Sequence, residues 1–195
     1  MKPIDKFNQL ATRYDTPLNI QMANLAVEAI RRFKDKDKTK TAADLGCGTG
    51  LIGLDLLDDF DSMLFVDGSK NMLKAVETNL SQRGATNASV LQSDMENDLQ
   101  LPYKVDTLIL SLVLHHIANH QELLSKLYNN LNDNGQLFII EMEKQEHNHH
   151  GIDSSELADN LSAIGFRNIQ SEIIYEAPKE IDHHNASRFI ISARK

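Results

Sequence analysis

The chain has 195 residues, with 20 basic and 28 acidic side chains and a formal net charge of −8. That length is enough for one domain with a full core and no disulfide or metal staple, and the acidic balance argues against a broad nucleic-acid-binding surface. A single cysteine excludes an internal disulfide; with no apolar stretch near the roughly 20 residues that span a bilayer and no apolar signal core at the start, a cytoplasmic chain is expected.

Apolar residues at 4, 7, 10, 11 and 14 give Ile4–Tyr14 a helical spacing. Thr16-Pro17 opens a second helix, with threonine as N-cap and proline in the first turn, running through Leu18, Met22, Leu25, Ala26, Ala29, Ile30 and Phe33. Lys34, Lys36, Lys38 and Lys40 alternate with Asp35 and Asp37 and read as a solvated linker into a first strand at Thr41–Leu45. A helix from Leu51 to about Leu57 leads to a second strand, Met63–Val66, closed by Asp67. Ser69 is placed to cap a helix carrying Met72, Leu73, Val76 and Leu80 and ending near Gly84. A third strand, Ser89–Gln92, precedes Asp94 in a loop, and Val105–Leu110 is an unbroken apolar run of the kind buried on both faces. A helix from about Asn119 to Leu131 ends in the turn Asn132–Gly135, followed by a fifth strand at Gln136–Glu141. Asp153-Ser-Ser-Glu156 reads as a capping box for a last helix terminated by Gly165, after which Asn168–Glu176 and Arg188–Ala193 are extended.

Strands alternating with helices predict an α/β fold, a doubly wound parallel sheet with right-handed crossovers. Only a short loop around Pro178–Asn185, without helical pattern, joins the last two strands, so they are expected to be antiparallel neighbours.

Residues 46–50, Gly-Cys-Gly-Thr-Gly, lie between the first strand and the following helix. Without a Cβ the glycines let the backbone bend sharply and bring its amides close to a ligand, and strand, glycine turn and helix start together indicate a nucleotide-type cofactor site. A dinucleotide fingerprint G-x-G-x-x-G would place its third glycine at position 51, which is Leu51. Asp44 stands two residues ahead of the first glycine, where a carboxylate can meet a cationic or hydroxyl-bearing ligand. Asp44, Gly46, Gly48 and Gly50 fill the form D-x-G-x-G-x-G, and on these residues the chain resembles the class I S-adenosylmethionine-dependent methyltransferases, over about residues 41–195. The resemblance implies a seven-stranded, mostly parallel Rossmann-like sheet whose last strand is antiparallel, in a single domain spanning 1–195. The two N-terminal helices (1–34) would form a lid over the cofactor face. Cys47 reads as a small residue tolerated in the tight turn, since no base is arranged beside it.

Ligands of an open parallel sheet bind beyond the carboxyl ends of its strands, at the switch point. Asp67, followed by Gly68, ends the second strand, and a carboxylate there can accept both ribose hydroxyls, in a methyltransferase and a dehydrogenase alike. The resemblance implies that Asp94 accepts from the adenine amino group and that the Met95 N–H bonds the ring; Met72 lies over the adenine face or simply in the core. The segment Leu110-Ser111-Leu112-Val113-Leu114-His115-His116-Ile117 and the helix Phe7 to Asp15 resemble small-molecule methyltransferases of the ubiquinone and menaquinone biosynthesis kind. Ser111 would then approach the methionine part of the cofactor, and Tyr14 would touch its carboxylate, cover the methyl group or pack in the core. The Asn/Asp-Pro-Pro-aromatic motif of DNA adenine methyltransferases is absent, and Asp106 begins its strand, away from any catechol-type metal site.

Residues 141–151 are expected to wall the substrate pocket. His116 and His150 are candidate general bases, because an unperturbed imidazole titrates near pH 6.5. His147, His149, His150, His183 and His184 show no recognised ligand spacing, so no metal is expected. The reading is methyl transfer from S-adenosylmethionine to a small-molecule acceptor, with S-adenosylhomocysteine as product and no nucleic-acid or membrane partner. Its alternatives are an NAD-dependent oxidoreductase and a non-catalytic cofactor-binding protein that docks through the lid helices. No motif selects an acceptor atom or an oligomeric state.

Overall fold

Stretches such as Leu108–Leu110 and Leu137–Ile140 are apolar at every position and buried, and a sheet built of them needs helices on both faces. The computed structural model, which describes residues 3–36, 40–97, 99–144, 150–177 and 186–195, has that arrangement. In chain order the elements are α1 (Pro3–Leu10), α2 (Pro17–Phe33), β1 (Thr41–Leu45), α3 (Leu51–Asp55), β2 (Ser62–Asp67), α4 (Lys70–Arg83), β3 (Ala88–Gln92), β4 (Val105–Ser111), α5 (His120–Asn130), β5 (Leu131–Met142), α6 (Ser154–Ile164), β6 (Arg167–Tyr175) and β7 (Arg188–Arg194).

The seven strands form one sheet in the order β3-β2-β1-β4-β5-β7-β6. β1 runs parallel to β2 and β4, and β4 parallel to β5. β7 enters between β5 and β6, antiparallel to both. The turn from β1 to α3 therefore lies at the point where the strand order reverses. Alternation along each strand sends Leu45, Val66, Leu110 and Ile139 to the face covered by α5 and α6. Ala42, Phe65, Ile109 and Phe138 go to the face covered by α2, α3 and α4.

Local chemistry sets the helix ends. The Thr16 hydroxyl accepts the Asn19 N–H, Ser69 accepts that of Met72, and Asp153 accepts those of Ser155 and Glu156. Gly84 and Gly165 end α4 and α6 in the left-handed conformation.

Two boundaries depart from the sequence expectation. The helix after the glycine turn stops at Asp55 and continues as a 3₁₀ turn, Leu57–Asp59. The fifth strand begins at Leu131, inside the predicted helix end. Leu131 pairs with Val105 while Gln136 pairs with Thr107, so residues 132–135 bulge outward with Asn134 at φ 64. The bulge is held by Asp106, which accepts from Asn132 Nδ2 at 2.8 Å and from the Thr41 N–H at 2.9 Å. Asp106 thus serves the opposite end of the sheet from the cavities.

Both N-terminal helices reach the strand ends. α1 lays Ile4 and Phe7 over the larger of two cavities, and the first turns of α2 bring Asn19, Met22 and Ala23 to the smaller. The rest of α2 buries Ala26, Val27, Ala29 and Ile30 against the sheet.

Candidate active site

Beyond the carboxyl ends of β1, β2 and β4 lies a cavity of about 260 Å³, joined to a compartment of about 50 Å³ through shared walls at Tyr14, Gly46, Ser111 and Leu112. Gly46, Gly48 and Gly50 all have positive φ, +67°, +54° and +87°, so the turn needs glycine at each position. A Cβ on Gly46 would overlap Val113 Cγ2, whereas one on Gly48 would stand 3.6 Å from Tyr14 Cε1, its nearest neighbour, and project into the cavity. Gly50 lines neither cavity. It packs on Leu54 and Val76 and acts through turn geometry alone.

The expectation that the turn offers its amides to a ligand is not met. Gly46 and Cys47 donate to the Val66 carbonyl at 2.7 and 3.0 Å, Gly50 donates to the Cys47 carbonyl at 2.9 Å, and Gly48 donates to Asp67 Oδ2 at 2.9 Å. The bend draws the N–H groups of Gly46, Cys47 and Gly48 back onto the second strand and closes that of Gly50 within the turn itself. A diphosphate relies on free amides and a helix dipole for binding; here four amides are engaged and the helix has five residues.

Asp67 lines the large cavity with its second oxygen accepting the Ser69 N–H at 2.7 Å, and burial raises its carboxyl above the usual range. Gly68, Met72, Asp94 and Met95 line the same cavity. Met72 is 1% exposed, packed in the core beside that cavity. Asp94 accepts from the Glu96 N–H and from Asn97 Nδ2, which fixes its loop. The donor set fits an adenosyl group: a carboxylate for vicinal hydroxyls, thioethers for the faces of a flat ring, and a backbone step where any Cβ would intrude.

In the small compartment Asp44 is 2% exposed and accepts the Gly53 N–H at 3.1 Å; desolvation, partly offset by that bond, pushes its carboxyl up to about 7. Cys47 lines the same space, and burial first, then the charges of Asp44 and Asp67, raise its thiol well above its ordinary range. Tyr14 lies between the compartments, its phenol raised by burial.

His116 lines the large cavity edge-on to Phe7, with ring centroids 5.4 Å apart. Burial first, then the charge of His115, holds it down to about 4, with Lys6 and His150 lowering it further. His150 itself is exposed in a turn and lines neither cavity. His147, His149, His183 and His184 lie outside the described residues, among which no group of three His, Cys, Asp or Glu could hold a metal ion. No described helix is long and apolar enough to cross a membrane.

Two features escape sequence reading. Glu141, fully buried at the end of β5, bonds His115 Nδ1 at 2.9 Å; the partners lie 26 residues apart, and only the His-His doublet hints at them. Arg188, at the start of β7, lines the small compartment, and a lone arginine opening a strand carries no signal in sequence.

A mostly parallel seven-stranded sheet with one inserted reversed strand, and a glycine turn tied to an acidic second-strand end, define the class I S-adenosylmethionine-dependent methyltransferase fold. The chain belongs to the methyltransferase domain family, which it matches over residues 36–183. It is 23% identical over 189 residues to an uncharacterised methyltransferase of Schizosaccharomyces pombe, covering 76% of this chain and 66% of that one. It is 29% identical over 142 residues to the malonyl-[acyl-carrier protein] O-methyltransferase of Halalkalibacterium halodurans, covering 68% and 52%. The chain thus spans less than two thirds of the length of these curated relatives. Among solved structures it is similar to a SAM-dependent methyltransferase from Aquifex aeolicus, with 19% identity, a TM-score of 0.75 and coverage of 96% and 97%. It is also similar to DhpI in complex with SAH, with 17% identity, a TM-score of 0.75 and coverage of 99% and 95%. These structural likenesses show the fold.

Proposed function

We propose that the chain transfers a methyl group from S-adenosylmethionine to a small-molecule acceptor, leaving S-adenosylhomocysteine. The observation that carries this reading is the two-compartment cavity at the switch point, bounded by the glycine turn, Asp67 and the Asp94-Met95 loop and roofed by Ile4 and Phe7. When bound, the cofactor supplies an electrophilic methyl group on a sulfonium centre.

The chain's own residues bind, align and exclude water. Asp67, beside Gly68, accepts the ribose hydroxyls. Met72 and Met95 hold the adenine faces, and Asp94 takes the exocyclic amine. Gly46, Gly48, Cys47 and Asp44 border the amino-acid tail, with Ser111 against the methionine part. Tyr14 sits where the two compartments meet and orients what lies there. Alignment is the larger share of catalysis for so reactive a group, and a base is needed only for an acceptor proton of high pKa. His116 faces the cavity as a neutral imidazole at pH 7, able to accept a proton but weakly basic. His150 lies outside both cavities and bears on His116 through its charge.

The oxidoreductase alternative is not favoured: Leu51 fills the third glycine position, and the amides of Gly46, Cys47, Gly48 and Gly50 are engaged within the protein. Isothermal titration with S-adenosylmethionine and S-adenosylhomocysteine tests the proposal. Micromolar binding of both is expected, and no binding of either at millimolar concentration overturns it. Thermal protection by NAD(H) without protection by S-adenosylmethionine would restore the alternative.

A further inference from the structure

Arg188 is partly buried and lines the small compartment together with Tyr14, Ser111 and Ile140. Its guanidinium makes no hydrogen bond or ion pair among the described residues. Among the groups whose charge it feels, Tyr14, Glu141 and Tyr175, the carboxylate is Glu141, which is committed to His115 Nδ1 and to the Met142 N–H. A guanidinium presents five donors and is costly to hold in a poorly hydrated place without an anion. The described residues supply none, which fits an anion that arrives with a ligand.

Strand order indicates which ligand. The adenosine side of the cavity, at Asp67 and Asp94, follows β2 and β3, while β7 lies on the other side of β1, beyond β4 and β5. At about 4.8 Å per strand, the Arg188 backbone starts roughly 14 Å from the β1 line, and its side chain reaches back into the small compartment that Asp44, Gly46 and Cys47 also line. Ile140 near the end of β5 and Arg188 at the start of β7 form the wall of the small compartment farthest in strand order from Asp67 and Asp94. Resting on the methyltransferase reading, we propose that Arg188 receives a carboxylate of the methyl acceptor, which makes small carboxylic acids the substrate class. The planar fork of arginine matches a carboxylate with two parallel hydrogen bonds. The Tyr14 hydroxyl, protonated at neutral pH, stands by to donate a third.

The test uses the full chain and isothermal titration. S-adenosylhomocysteine and 5′-methylthioadenosine, which lacks the amino-acid tail, are titrated into wild type and Arg188→Met. The proteins saturated with S-adenosylhomocysteine are then titrated with benzoate and acetate, and with the neutral benzamide and acetamide. Cofactor affinity is expected to agree within about twofold between the proteins. Wild type is expected to prefer carboxylate over amide at least tenfold, Arg188→Met to lose that preference and Arg188→Lys to keep part of it. No carboxylate preference in wild type overturns the proposal, and that comparison does not depend on the variants folding. A tenfold loss of S-adenosylhomocysteine affinity in Arg188→Met, with 5′-methylthioadenosine unchanged, assigns the anion to the cofactor's own tail and overturns it equally. Failure of wild type to bind S-adenosylhomocysteine at all rejects the methyltransferase reading itself, a separate outcome.

Discussion

The carboxylate of Asp67 accepts the Gly48 amide at 2.9 Å, so the end of the second strand holds the middle of the glycine turn in place. One side chain thereby shapes the turn and faces the cavity. In Asp67→Asn one amide N–H would confront another, and a buried donor left without an acceptor costs about 1–3 kcal/mol. The melting temperature should drop by about 2–4 °C for each kcal/mol lost in a chain of this size, and S-adenosylhomocysteine should bind at least tenfold more weakly. Calorimetry reads both; an unchanged melting temperature with weakened binding would leave Asp67 a ligand contact without a structural part.

Gly46 and Gly48 should separate folding from binding. Alanine at 46 meets Val113 and, at 3.0 Å, Met95 Cε, besides adopting φ +67°, so Gly46→Ala should destabilise by about 1–3 kcal/mol or more. Gly48→Ala has a similar φ but only an ordinary contact, Tyr14 Cε1 at 3.6 Å, beside the new methyl, which stands at the cavity wall. It should lose less stability and more cofactor affinity than Gly46→Ala. Equal ratios of the two losses, by thermal melts and titration, would contradict the described turn.

Two buried groups should give the unliganded protein opposing pH slopes. Asp44, pushed from 3.8 up to about 7, keeps its proton in the folded chain where the unfolded chain releases it, so its stabilisation is lost as pH rises from about 4 to 7. His116, lowered from 6.5 to about 4, refuses a proton that the unfolded chain accepts, so its stabilisation is lost as pH falls from about 6.5 to 4. Relative to wild type, Asp44→Asn should gain stability toward pH 7, and His116→Gln should gain it toward pH 4. Melting curves across this range check both signs, and an NMR titration of His116 with an apparent pKa above 6 would remove the second.

Hydrogen bonds at Asn8 and Asp15 tie the start of the N-terminal segment to the core. The Thr49 hydroxyl donates to Asp15 Oδ1 at 2.5 Å, and Asn8 Oδ1 accepts the Ser69 hydroxyl at 2.7 Å and the Asn71 N–H at 3.2 Å. Thr49→Val and Asn8→Ala should each speed release of S-adenosylhomocysteine several-fold, by stopped-flow measurement, with little change in the association rate. Asp15→Asn combined with Thr49→Val should lose less than the sum of the two single effects, because the partners share one bond.

Much of this organisation is legible in the chain because the signals are local. β1 falls on Thr41–Leu45 as its apolar run predicts, Thr16, Ser69 and Asp153 cap the helices they precede, and the short connection between the last strands yields the antiparallel insertion. The bulge at 132–135 was hidden because a turn sequence inside a strand looks like a turn between elements. The engaged amides were hidden because spacing shows that glycines bend, not which way the N–H groups then point. Arg188 and the Glu141–His115 pair depend on contacts between distant strands, which periodicity cannot report.

Cys47 sits in the turn most exposed to chemistry, yet its sulfur faces the Gly48 carbonyl at 3.6 Å and its thiol is held firmly protonated by burial and two neighbouring acids. Nucleophilic attack on an oxidant or alkylating agent requires the thiolate. Peroxide and iodoacetamide at neutral pH should therefore leave this chain's only sulfhydryl untouched, and the turn should keep its shape in cells whose redox balance has failed.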